Sequence, residues 1–417
     1  MEISRTERND KTISQTPYRW VILAFLFAGT TINYLDRIVL SILIPEIEKE
    51  ITINPMIYGF ILSSFKFTYT IGLLGVGFVI DKLGTRLGYF SAVVLWSISG
   101  AFSGLCGSGF CLASLRAVFG LAASGNFPAA IKSVSEWFKV EDRAFATSIF
   151  NSGSSISSII GAPLVLVLVL SVGWRWTFVV FGGIGLVLAI VWLILYKKPA
   201  VQNIALPQNT ASTERIPWIQ IAKKRQTIGI MIGKFLTDPV WWFYLYWMPT
   251  YFNTERGLDL RGIALAIPVI YILATLMGFV GGWFPKHFMS TGWSVERARK
   301  TTMLLSALLL PISATAVFVH NTWTAVVLIS LACGAHNSWS ANIFTMCSDC
   351  FESKSVGSAT GLAGFAGGVG GIFFSALIPG IVIQFFGYTP VFILMGILHP
   401  LAYLFIRRLV IYENEGV

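Results

Sequence analysis

The chain has 417 residues, 55% of them hydrophobic and 12% charged, with a net charge of +10 and a mean hydropathy of +0.72. Soluble domains carry about 25% charged residues, so this composition excludes an ordinary soluble protein and points to a chain that crosses a bilayer many times. The basic surplus would suit nucleic acid, but its placement along the chain excludes that partner too.

Residues 1–19 are polar and lack a signal-peptide cleavage pattern. They read as a cytoplasmic tail, with the first span serving as the insertion signal. Hydropathy and turn residues then mark twelve helices, near 20–44, 56–80, 87–106, 110–138, 144–170, 174–196, 227–252, 261–285, 299–319, 322–347, 356–386 and 388–406. Each is long enough to cross hydrocarbon, where backbone groups must be satisfied within the segment. The alternation of a β-barrel is absent. The expectation is an all-α membrane protein of twelve transmembrane helices.

With both termini inside, the cytoplasmic segments hold 21 of the 30 Lys and Arg, the opposite loops hold 4, and 5 lie within helices. This asymmetry follows the positive-inside rule and accounts for the net charge. The longest polar stretch, 197–226, reads as a cytoplasmic linker. It divides a six-helix bundle at 20–196 from a second at 227–406, with a short tail at 407–417. The halves echo one another at an offset near 214, as in Gly120/Gly334, Gly173/Gly387, Phe178/Phe392 and Gly182/Gly396. Paired repeats around a central cleft are a transporter architecture with its site near the midplane.

Charges inside spans cost about 2.5–3.5 kcal/mol or more each and mark pathways. Here they are Asp36, Arg37, Lys66, Arg116, Lys132, Lys234 and Asp238. Their cationic surplus suits a small anion. Arg37 offers a planar fork to a carboxylate, and Asp36 beside it can exchange an ion pair for a proton. Lys234 and Asp238, at i and i+4, share a helix face and either neutralise each other or open onto the cleft at Pro239. Lys66 is placed to line the cavity, and Lys132 to snorkel. Tyr69, Asn151, Ser154, Tyr244 and Asn337 supply polar contacts for a polyhydroxy substrate, and His336 is a candidate contact or an interhelical hydrogen-bond partner. Cys106, Cys111, Cys333, Cys347 and Cys350 read as packing residues, and no metal or cofactor motif is recognised.

Between helices two and three lies Gly77-Phe-Val-Ile-Asp81-Lys82-Leu-Gly84-Thr-Arg86. This loop resembles the signature of the major facilitator superfamily. Tyr34-Leu-Asp36-Arg37, Ser135-Glu-Trp-Phe138 with Arg143, Phe150-Asn151, Lys234 to Pro239, Trp247-Met-Pro249, Ala335-His336 and Ser348-Asp349 resemble its anion:cation symporters, especially bacterial sugar-acid carriers. Three positions depart from that pattern. Ala123 stands where relatives carry a helix-four Glu, Leu73 stands where many carry Gln, and Lys66 is an added cation. The resemblance implies a non-enzymatic symporter of the bacterial inner membrane, acting as a monomer. It would import a hexuronate or related sugar acid with protons, with Asp36 and Asp238 as coupling acids. Another anion (sialate, dicarboxylate or phosphate) or Na⁺ coupling are the alternatives, and a membrane sensor or enzyme is remote. The resemblance implicates the helix-four acid in coupling, so its loss implies weak proton-driven accumulation with exchange dominant.

Overall fold

The computed structural model describes residues 17–138, 140–197, 218–351 and 353–412. Most of the expected linker, the first sixteen residues and the last five lie outside these, as do the side chains of Asp81, Ser135, Arg143 and Ser348. The described chain is helical throughout: α1 Tyr18–Ile47, α2 Pro55–Phe102, α3 Gly109–Ala123, α4 Asn126–Trp137, α5 Val140–Leu195, α6 Trp218–Ala222 and α7 Arg225–Thr254. There follow α8 Leu260–Ser290, α9 Val295–Ser313, α10 Thr322–Cys350, α11 Ser353–Ile372, α12 Ile378–Phe386 and α13 Thr389–Leu409.

Two of these helices each make two crossings. The α2 chain reverses at Gly84 (φ 78°) and the α5 chain at Gly173 (φ 81°). Both backbones occupy a region open to glycine and costly for other residues. A third crossing is divided, because α3 and α4 together make the fourth pass. A fourth is continued, because α11 runs through a π-helical turn, Phe373–Leu377, into α12. The described residues therefore make twelve crossings in two groups of six.

Nine described helices are long and apolar enough to cross a membrane on that ground alone, one of them being the double crossing in α5. The two crossings missing from that set are α7 and α10, which carry Lys234, Asp238, His336 and Asn337. Both helices too polar to look like spans line the cavity described below.

The expected repeat holds at the level of contacts. Gly387 adopts φ 72°, matching Gly173. A Cβ on Gly120 would strike the carbonyl of Phe65, and one on Gly334 would strike Met277, so the fourth crossing packs on the second as the tenth packs on the eighth. At the end of the bundle that carries the termini, Glu136 accepts from Tyr196 and from Thr85 Oγ1 (2.6 Å). Asp349 likewise accepts from Tyr412 (3.1 Å) and Arg299 (2.5 Å). Arg86 donates to the Leu193 carbonyl at 2.6 Å, as Lys300 does to the Arg407 carbonyl at 3.3 Å. Each half is thus closed on itself by an acid, a tyrosine and a basic residue in equivalent places. Lys82 is exposed beside the first of these closures.

The two halves meet at the opposite end. The Tyr58 hydroxyl donates to the Tyr246 carbonyl at 2.7 Å, and Gly59 and Gly380 approach so closely that a Cβ on either would collide with the other's backbone at 2.9 Å. At that same end Cys106 and Cys111 form a disulfide between the third and fourth crossings. This corrects the reading of both as packing residues. Cys333, Cys347 and Cys350 are free thiols.

Candidate functional site

Between the halves lies a cavity of about 820 Å³. It runs from the level of Lys66 and Tyr271 toward the termini end, where it reaches Leu74, Phe127 and Gly361. Leu74 is 70% exposed there, whereas Tyr58 on the same helix is sealed at the other end. The cavity is therefore open toward the termini and closed away from them.

Its second-half wall is shaped by α7. Pro239 has no N–H, so the Phe235 carbonyl one turn back has no helical donor. Gly370 of α11 packs against that carbonyl, and a Cβ there would sit 2.0 Å from it. The displaced turn presents Lys234 and Asp238 to the cavity with Nζ and Oδ1 2.8 Å apart. Lys234 also lies 3.8 Å from the Phe344 ring centre. The neutral-pair reading of these two residues and the cleft-lining reading are thus both realised.

Lys66 differs. It is buried on the first-half wall, its Nζ is 3.1 Å from the Trp242 ring centre, and among the described residues no carboxylate is within ion-pair reach of it. Held against an aromatic face and not engaged in an ion pair, its amine is placed to meet an anion entering the cavity.

Tyr69, Asn151, Ser154, His336 and Asn337 also line the cavity. Two of them are partly engaged: Ser154 donates to the Asn151 carbonyl at 2.8 Å, and Asn337 to the Ala274 carbonyl at 3.2 Å.

Arg37 sits one layer behind the wall. Its guanidinium is stacked on Tyr34 (4.4 Å) and Tyr69 (4.6 Å), both of which line the cavity, and Nε donates to Asn33. Asp36 and Arg116 lie deeper. Arg116 donates to the main-chain carbonyl of Asp36 at 2.8 Å rather than to its carboxylate, and Arg116 Nε and Nη2 and Asp36 Oδ2 are buried without partners. So Arg37, Asp36 and Arg116 do not touch the cavity in this conformation. Aromatic rings screen them, and the sealed end covers them.

Tyr244 is displaced from its expected place at the substrate. Its hydroxyl pairs with Ser313 at 3.2 Å and its ring packs on Phe243 and Phe392, so it is a core residue of the second half. Ala123, the last residue of α3, is buried in the first-half apolar core with Phe65 and Phe119 as members of the same cluster. Leu73 does line the cavity. Lys132 reaches the Ile80 carbonyl at 3.4 Å.

Several wall residues escaped the sequence reading. Trp241 and Trp242 follow Pro239 after one valine, and both line the second-half wall. Paired tryptophans beside a helix-breaking proline in an already polar span were the available signal. His399, one layer behind His336, carried no such signal.

A profile of the Major Facilitator Superfamily matches residues 26–292 and 288–415. The chain is 30% identical over 402 residues to the hexuronate transporter of Escherichia coli (strain K12), covering 93% of each chain. It is 26% identical over 392 residues to the D-galactonate transporter of Escherichia coli O6:H1 (strain CFT073), covering 89% of this chain and 91% of that one. Its backbone follows the crystal structure of a bacterial homolog of the human lysosomal transporter Spinster, with a TM-score of 0.72 at 16% identity over 95% of this chain and 96% of that one. Matched along both halves and aligned nearly end to end with these transporters, the chain belongs to the major facilitator superfamily.

Proposed function

We propose that this protein carries a sugar acid of the hexuronate class across the bacterial inner membrane by proton-coupled symport. The observation that carries this reading is Lys66, a buried lysine on the cavity wall that makes no ion pair among the described residues. Asn151, Ser154 and Asn337 add polar partners for hydroxyl groups, with Trp241 and Trp242 lining the same cavity. The named activities of the relatives support the same substrate class.

In this scheme the substrate carboxylate pairs with Lys66 within the site, with Arg37 one aromatic layer away. The two six-helix groups act as rigid bodies that rock about the cavity, and the observed state is open to the cytoplasm. The basic loops at the termini end and the disulfide at the other end support that orientation, since disulfides persist in oxidising compartments. Asp238 is the acid within reach of a proton entering this open cavity. Its protonation would release Lys234 as a second anion contact. Asp36, covered here, would titrate when the opposite end opens. With Ala123 at the helix-four position these two acids are the ones left for coupling, so proton-driven accumulation should be weak and Ala123→Glu should strengthen it.

Calorimetry on purified protein tests the substrate class: glucuronate and galacturonate should bind, and glucose, which lacks the carboxylate, should bind at least about tenfold more weakly. Equal affinity for glucose would sink the reading. Reconstituted liposomes test the coupling. Concentrative uptake should follow an imposed proton gradient rather than a Na⁺ gradient, and Ala123→Glu reveals whether the absent acid limits it.

A further inference from the structure

Behind the cavity wall, His399 of α13 reaches His336 of α10. His399 is fully buried, and its Nε2 lies 3.3 Å from Nδ1 of His336. One proton is shared in that contact, so the two rings have linked tautomers.

His399 Nδ1 is buried and has no partner. A buried N–H without an acceptor is the rarer orphan, and a bare acceptor is more often tolerated. Trp339 Nε1, a donor that is also buried and unpartnered, belongs to an indole packed edge-on against the same imidazole with ring centres 5.2 Å apart. A bare Nδ1 is compatible with an indole N–H as neighbour, whereas a second N–H is not. Both observations place the proton of His399 on Nε2, donated to Nδ1 of His336. A charged His399 would add a buried N–H with no acceptor.

His336 must then carry its own proton on Nε2. That nitrogen is neither hydrogen-bonded nor sealed, and His336 lines the cavity. Its ring plane is held by Trp241, stacked at 5.7 Å and 21°. The charged groups sharing this wall are Lys234 and its partner Asp238.

We propose that His399 is a positioning residue that fixes His336 as a neutral Nε2–H donor toward the substrate. This wall would then select an acceptor oxygen, from a carboxylate or a hydroxyl, at a defined point. The substrate half of the proposal rests on the sugar-acid reading above, whereas the tautomer half does not.

Nitrogen NMR of histidine-labelled protein, assigned with His336→Phe and His399→Phe, reads the tautomers directly. The expected result is protonation on Nε2 alone in both rings at neutral pH. A proton on Nδ1 of His336 would overturn the proposal. In calorimetry with glucuronate, His399→Phe should weaken binding about tenfold, no less than His336→Phe, and the double variant should lose no more. His399→Gln, whose amide can donate where Nε2 does, should stay within about threefold of the parent. Unchanged affinity in His399→Phe would also overturn the proposal. If the parent binds no sugar acid, the substrate reading fails while the tautomer result still decides the pair.

Discussion

Two lysines share one cavity, and their neighbours give them different roles. Lys234 is paired with Asp238 at 2.8 Å, whereas Lys66 rests on Trp242 and, among the described residues, makes no ion pair. An unpaired buried cation costs the folded protein stability and gives the substrate its anchor. Lys66→Met is therefore expected to raise the thermal stability of the empty protein while weakening glucuronate binding by about 2–5 kcal/mol. Thermal shift with and without ligand checks both signs, and a loss of stability together with retained binding would contradict the assignment. For Lys234 the expectation reverses. Lys234→Met alone strands Asp238 and should destabilise by about 3–5 kcal/mol, and adding Asp238→Leu should recover folding. If Lys234 also contacts substrate, uptake by that folded double variant stays low. Uptake near the parent's with unchanged KM would retire the contact.

At the level of helices, close packing and site chemistry are joined at Gly367. A Cβ there would lie 2.1 Å from Asp238 Oδ2, so Gly367→Ala must shift the side chain that pairs with Lys234 through Oδ1. It should reproduce the instability of Lys234→Met without removing a charge, and a stable Gly367→Ala protein with normal uptake would refute that link. Much of this architecture was legible in the chain, because glycines at reversals and charges in apolar runs leave local marks. Gly173 and Gly387 were paired from sequence spacing, and they adopt the same left-handed backbone. The buried cations were also legible, since a charge inside a span needs a polar interior. Depth was not: Arg37, Arg116 and Tyr244 carry suitable chemistry, but which layer each occupies depends on how crossings far apart in sequence pack. The Cys106–Cys111 bond and the His336–His399 contact were missed for a related reason. A side-chain pairing is a property of folded geometry, and apolar context alone gives no sign of it.

For the whole molecule, the seal at the end remote from the termini decides which way the cavity opens. Gly380 packs into it so tightly that a Cβ would lie 2.8 Å from the Pro55 carbonyl. Gly380→Val should wedge this end apart. Spin labels at Met56 and Phe385 would then report longer distances than in the parent, and unchanged distances would show that the contact does not control opening. Glu48, just beyond α1 at this end, adds a pH dependence. Burial pushes its carboxyl up from 4.5 to about 7, and its charge acts on Tyr388 of the other half. An acid raised in the sealed state stabilises that state fully below its ordinary value, and the contribution is lost as pH rises through about 7. The same labels should therefore show more opening at pH 8 than at pH 6, and Glu48→Gln should flatten the difference.

The polarity of α7 and α10 has a consequence for how the protein is made. Neither helix is apolar enough to count as a span by itself, yet both must leave the insertion machinery for lipid. Asp and Lys near a helix centre each oppose insertion by about 2.5–3.5 kcal/mol. The i,i+4 spacing of Lys234 and Asp238 lets the two charges enter as one neutral unit, and α8, among the most apolar helices, follows after a short turn to hold the segment in place. The pair that shapes the cavity wall thus also serves biogenesis. Asp238→Leu should lower the yield of correctly inserted protein more than a core substitution of equal size, as counted by glycosylation mapping of the flanking loops.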